Sequence, residues 1–313
     1  MSGVFSRRTG EPFGFNLMKF TLTYDGKLSA NGGKREKWAM RQQFHPQTPF
    51  ERRRRCPTDL TDAEWQQIRL LLPKPARRGR RPKVALPEIL NAIRCMARLG
   101  GGWRMLPVRF GPWQTVCWWF CRLVRRLLFR TVHDVMLMLD REQAGCEASP
   151  TAGVADSRTV KAPHASGGGG YDAARKLKGR KRHVAVDTDG RLPMVNLSTA
   201  DVQDAAGAEE IIKGVRRRWP WLKHLFADGA HDLGRLASLA AYKDFTLEIV
   251  RRLPEQKGFQ VLPRRWVAER TFGWMTRRHR LVRGCEVRMD VSDAMIHLSK
   301  GALLLRRVAH PDT

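Results

Sequence analysis

Thr151-Ala152-Gly153-Val154-Ala155-Asp156-Ser157-Arg158-Thr159-Val160 is the stretch on which the fold turns. It follows a loop near 141–150, reads as a strand, and carries Asp156 inside its apolar half. Downstream, Ser166-Gly167-Gly168-Gly169-Gly170 reads as a flexible loop and Arg175 to Arg182 as a basic run. His183 to Thr188, a turn at Asp189-Gly190, and Leu192 to Ser198 then make a β-hairpin. Asp201 to Arg218 is helical, and Leu225-Phe226-Ala227-Asp228-Gly229 is a short strand that again finishes on an acid. A helix (Leu233 to Tyr242), a strand (Phe245 to Val250), a helix opening at Arg264, and an amphipathic helix (Val291 to Val308) complete the chain. Three antiparallel-type strands followed by this alternation predict a mixed α/β fold, an α+β mixed sheet rather than a doubly wound one. No Gly-x-Gly-x-x-Gly follows a strand, so the four-glycine run is no nucleotide cradle.

Upstream, three regions are expected: a basic arm over 1–57, a helical domain over 58–140, and the α/β domain over 151–310. The arm, expected to be flexible, ends in Arg52-Arg53-Arg54-Arg55; its alternatives are added phosphate contacts, a solvated tail, or a start codon placed too far upstream. Thr61-Asp62-Ala63-Glu64 is a capping box that opens a helix burying Trp65, Ile68, Leu71 and Leu72. A basic loop at 74–83 follows. A second helix from Pro87 carries Ile89, Leu90, Ile93, Met96 and Ala97 on one face and stops at Gly100-Gly101-Gly102. A third from about Pro112 buries Trp113, Val116, Phe120, Val124 and Leu128, while Arg122, Arg125, Arg126 and Arg130 project elsewhere. Such an arginine-studded set of helices suits a helix-turn-helix-like DNA-binding domain, or a packing domain with solvated charges.

Charge narrows the function classes. Among 313 residues, 58 Lys and Arg face 30 acids, a net charge of +28 that calls for a polyanionic partner, nucleic acid above all. No apolar run approaches the ~20 residues that span a bilayer, and no secretory leader opens the chain. Six scattered cysteines never form Cys-x-x-Cys; Cys117 and Cys121, one helical turn apart, read as buried reduced thiols. The expected location is cytoplasmic, with no membrane and no small-molecule substrate.

Three acids remain. Asp156 and Asp228 end apolar strand segments. Glu269 is the single acid of Arg264 to Arg283, a helical stretch with seven arginines. Each has a structural alternative, a strand-end turn for the aspartates and an ion pair with Arg265 or Arg270 for Glu269. Together they match phosphodiester chemistry, in which two Mg²⁺ ions about 3.5–4 Å apart serve the attacking and leaving oxygens. Mg²⁺ prefers a few carboxylates to Cys or His. Asp172 competes for the role; Asp187, just before the hairpin turn, reads as structural, and Asp201 and Asp204 as helix caps. His183, His224 and His231 show no metal spacing, and no Gly-x-Ser-x-Gly appears.

These residues also carry a resemblance. Thr61-Asp62-Ala63-Glu64-Trp65 with Gly102-Trp103-Arg104-Met105-Leu106-Pro107 resembles the amino-terminal domain of bacterial insertion-sequence transposases of the IS4/5 group. Asp156-Ser157 with Val160-Lys161, then Gly179 to His183 and Val186-Asp187-Thr188, is similar to the first catalytic block of that family. Phe226-Ala227-Asp228-Gly229-Ala230 is similar to the second, and Arg264 to Phe272, with Arg265-x-x-x-Glu269, to the third. The resemblance covers about 58–308. It implies a ribonuclease-H-like domain with a DDE triad of Asp156, Asp228 and Glu269, holding Mg²⁺ (Mn²⁺ may substitute). It further implies cleavage at terminal inverted repeats and joining of 3′ ends to target DNA, by a homo-oligomer assembled on double-stranded DNA and associated with the bacterial nucleoid. Arg265, Arg270 and Arg277 would position phosphates, as would Lys161 and Lys181, with Arg122, Arg125 and Arg126 on the element's ends.

Overall fold

Thr61 closes the first turn of helix α1 (Asp62–Ile68) as its sequence demands. Its hydroxyl accepts the Glu64 N–H at 3.0 Å and the Glu64 carboxylate accepts the Thr61 N–H at 3.2 Å. The structure, a computed structural model, describes residues 56–74, 83–162, 169–228, 234–250 and 265–311. All belong to one compact unit, residues 53–313. The expected basic arm lies almost wholly outside the described residues, as do most of the loop at 74–83, part of the glycine run, Gly229, His231 and Arg264.

Helix α2 (Leu86–Leu99) buries Ile89, Leu90, Ile93, Met96 and Ala97 and ends at Gly100, whose φ of +79° suits glycine. Helix α3 (Trp113–Arg125) buries Val116, Phe120, Leu123 and Val124. The sequence carries this helix through Leu128, but the chain breaks at Leu127 (φ +52°) and restarts as α4 (Leu128–Gln143). A left-handed leucine costs ~1–2 kcal/mol. Burial of Leu128, Phe129, Met136 and Leu137 offsets it. Helix α4 lies along the carboxyl-terminal helix α9 (Met289–Ala309), which also touches α1, α2 and α3, so the last segment of chain closes the helical core. The fully buried rings of His133 and His297 meet edge to face there, 5.1 Å apart. The six cysteines are free, and Cys121, expected to be buried, is exposed.

The sheet is built from β1 (Ala152–Lys161), β2 (Gly170–Asp172), β3 (Leu177–Asp187), β4 (Met194–Thr199), β5 (His224–Asp228) and β6 (Thr246–Val250). Among the described residues β3 is antiparallel to β1, β2 and β4, while β5 runs parallel to both β1 and β6. This is a mixed sheet of ribonuclease-H-like type, with the helical region ahead of it. The strand expected from His183 begins earlier, within the basic run Arg175–Arg182: from Leu177 onward that run is the start of β3. Arg180 donates to the Glu286 carbonyl at 2.7 Å and Arg182 to the Leu281 carbonyl at 2.8 Å, which lets both guanidiniums be buried.

Helices cover both faces. Helix α5 (Asp204–Arg218) packs so closely on β3 that a Cβ at Gly207 would lie 2.0 Å from the His183 ring. On the same face Lys181 pairs with Asp204 at 3.0 Å, so Asp204 serves an internal ion pair rather than the expected cap. Helix α6 (Gly234–Tyr242) packs against α5 and β6. Helix α7 (Trp266–Thr276) takes the other side, against β1 and β3, and is followed by the short α8 (His279–Val282). No helix among the described residues is long and apolar enough to cross a membrane.

Candidate active site

Parallel pairing of β1 with β5 runs through Ala155 opposite Ala227, so Asp156 and Asp228 come next at the same level of two neighbouring strands. Strands so paired lie ~4.8 Å apart. The Asp156 Oδ1 accepts the Ser157 N–H at 2.7 Å. The Asp228 Oδ2 accepts from the Arg265 guanidinium at 2.7 Å, a charge-assisted bond from the residue that precedes α7. Glu269 follows one turn later on α7 and is exposed.

What holds α7 over these strand ends is its buried stripe of Val267, Ala268, Phe272 and Met275, together with polar locks to the β3–β4 turn. The Thr271 hydroxyl donates to the Gly190 carbonyl at 2.9 Å, and Arg270 donates to the Asp189 carbonyl at 2.8 Å. The turn needs glycine: Gly190 has φ +85°, and a Cβ there would lie 3.0 Å from the Thr271 hydroxyl. Lys300 on α9 also donates to the Gly190 carbonyl, at 3.3 Å, and its burial pushes the ammonium down to about 7.

Electrostatics couple the acids. Burial raises the Asp156 carboxyl to about 6, and the charges of Asp228 and Glu269 add to that rise; the Ser157 N–H and Arg265 pull the other way. The charges of Asp228 and Glu269 are thus both felt at Asp156, but the three acids do not close into a ready cage. Among the described residues no three His, Cys, Asp or Glu side chains stand within metal-binding reach of one another. The donor set is all carboxylate oxygen, the chemistry a hard divalent cation takes. The burial cost of ionising Asp156, to which the two other acids add, is what such a cation would relieve.

The other expected site residues divide. Arg265 joins the acids. Arg270 is half-buried between Trp266 and Trp274, with centroid distances of 4.3 and 4.8 Å, and works within the fold. Lys181 is buried on the opposite face of the sheet, donating to the Val202 carbonyl at 2.7 Å besides its pair with Asp204. Arg277 is exposed just past the end of α7, and Lys161 is exposed at the end of β1. Arg122, Arg125 and Arg126 belong to the helical region, Arg125 and Arg126 exposed and Arg122 stacked on Trp118 at 5.2 Å. Asp172 accepts the Thr159 hydroxyl at 2.5 Å and the Arg175 N–H at 3.1 Å, an internal role away from the acid cluster. Two cations that no motif singles out lie near the acids: Arg158, two residues after Asp156 on β1, and Arg182, directly across from Arg158 on β3.

Two family models match the chain. A family model described as "Transposase DDE domain" matches residues 147–305, and one described as "Putative transposase of IS4/5 family" matches 60–133. A curated relative, the uncharacterized protein y4sN of Sinorhizobium fredii (strain NBRC 101917 / NGR234), is 33% identical over 125 residues, covering 38% of this chain and 86% of that protein.

Proposed function

Because the chain belongs to the DDE transposases of the IS4/5 group, we propose that it cleaves DNA at the terminal inverted repeats of an insertion sequence and joins the freed 3′ ends to target DNA. One observation carries the placement of this chemistry: a half-buried carboxyl, Asp156, lifted to about 6 while feeling the charges of Asp228 and Glu269. Asp156, Asp228 and Glu269 would hold Mg²⁺, or Mn²⁺ in its place. Bound there, the metal supplies charge neutralisation and an activated water at the scissile phosphate.

The chain's own residues do the rest. Asp156 is ionised above about pH 6, the form that binds a cation. Arg265 orients the Asp228 carboxylate through its 2.7 Å bond and places a fixed positive charge beside the phosphate path. In the first step water forms the new P–O bond and the 3′ oxygen leaves with a proton. In the second, that 3′ hydroxyl attacks a target phosphodiester and displaces its 3′ oxygen. Arg122, Arg125 and Arg126, with the basic arm, grip phosphates of the element's ends. The protein works as a homo-oligomer on DNA, within the bacterial nucleoid.

Supercoiled plasmid incubated with pre-cleaved element ends and Mg²⁺ tests the reading. Joined product is expected. Nicking with no joined product would make this a plain nuclease of the same fold, and neither product, with DNA binding intact, would make it a DNA-binding derivative.

A further inference from the structure

Beside the acid cluster, on the α7 face of the sheet, lies a pocket of about 220 Å³ lined by Arg158, Thr159, Lys161, Arg182, Thr276 and Arg283, among others. Its lining holds four cations and not one acid. Arg158, Lys161 and Arg283 are exposed, and none has an acidic partner among the described residues. Arg182 forms the floor: it is buried, and burial together with the Arg158 charge pushes its guanidinium down to about 10.

The pocket is built into the fold. The Arg182 guanidinium donates to the Leu281 carbonyl at 2.8 Å, which fixes the segment that carries Arg283. The Gly284 N–H donates to the Lys161 carbonyl at 2.7 Å, and a Cβ at Gly284 would lie 2.8 Å from that of Ala162, so only glycine allows this approach. Four like charges held together without an acid repel one another, a cost that an anion would remove.

Position selects the anion. Arg158 stands two residues along β1 from Asp156, ~6.6 Å. Thr276 stands seven residues along α7 from Glu269, ~10 Å. One DNA strand carries a charge per ~3.4 Å of axis, so this offset corresponds to roughly two to three nucleotides. We propose that the Arg158–Arg182–Arg283 pocket is a phosphate-binding subsite that grips the DNA backbone two to three nucleotides from the phosphate at the acid cluster. The assignment of that cluster rests on the function proposed above; the pocket's affinity for a DNA backbone does not.

The test is the salt dependence of DNA binding, followed by fluorescence anisotropy of a labelled duplex of arbitrary sequence without divalent metal. Arg158→Gln with Arg283→Gln should lower the slope of log affinity against log salt by ~0.9 for the one lost phosphate contact. Arg158→Lys with Arg283→Lys should restore it. Arg217→Gln, an exposed charge on α5, should leave the slope unchanged. A slope equal to wild type in the glutamine pair, or an equal loss from Arg217→Gln, overturns the proposal. Thermal melting guards against misfolding; if the pair does not fold, Thr276→Glu at the exposed rim must show the same loss, and an unchanged slope there overturns the subsite. Because this readout needs no cleavage, a failed pocket and a misassigned active site give different results: slope unmoved with acid-dependent cleavage in the first case, slope lowered with acid-independent cleavage in the second.

Discussion

Asp156 and Asp187 sit on neighbouring strands of one sheet, with Asp187 opposite Gly153, three residues before Asp156. Their surroundings are opposite in kind. Asp187 is fully buried and fully answered: Arg141 donates to it at 2.6 Å, the Arg191 and Asp189 N–H groups at 2.8 and 3.0 Å, and Arg191 in turn binds Asp140 at 2.6 Å. Asp156 has one backbone N–H, feels two other acids, and shares the Arg265 charge with Asp228. A buried acid surrounded by donors stabilises a turn. One left short of cations keeps an affinity for a cation from outside, at a cost to the fold.

The contrast breaks most visibly in catalysis. Asp156→Asn, Asp228→Asn and Glu269→Gln should each reduce cleavage of element ends by about 10³-fold, ~4 kcal/mol of transition-state stabilisation, read by plasmid nicking. In stability the order reverses. Asp187→Asn strands Arg141 as a buried charge, while Arg191 keeps Asp140, and should cost ~3–5 kcal/mol, seen in urea denaturation. Asp156→Asn should instead raise stability at pH 8 by about 1–2 kcal/mol. The sign follows from the raised value: between the ordinary carboxyl value of 3.8 and about 6 the folded state binds more protons than the unfolded one, so wild-type stability falls as pH climbs through that window. The asparagine variant lacks this decline, and its advantage should vanish below pH 4. The same titration predicts a cleavage rate that drops as pH falls through about 6. The smallest effect is at the helix lock: Thr271→Val leaves the Gly190 carbonyl one donor short and should cost about 1 kcal/mol, with a modest loss of cleavage as Glu269 loosens.

Much of this was legible in the chain. Asp156 announces itself as an acid interrupting an apolar strand, Asp228 as one ending such a strand, and Asp187 as a turn residue beside Asp189-Gly190. The β3–β4 pairing follows from the hairpin alone. What stayed hidden depends on partners distant in sequence. Arg180 and Arg182 look solvated because the carbonyls of Leu281 and Glu286 that receive them lie about a hundred residues on. Lys181 looks like a phosphate ligand until Asp204 is folded against it. Arg270 likewise disappears between two tryptophans of its own helix. The break at Leu127 carries neither glycine nor proline, so periodicity runs straight across it; only packing of α4 on α9 explains it. The arginine pocket beside Asp156 required the sheet register and the return of the chain at Arg283.

Metal uptake tests the shared-site claim most directly. Titration of Mn²⁺ into the DNA-bound protein, followed by the paramagnetic resonance signal of the free ion, should show uptake that falls in each of Asp156→Asn, Asp228→Asn and Glu269→Gln. Wild-type uptake in a folded Glu269→Gln variant would contradict it, leaving the two aspartates without their third partner.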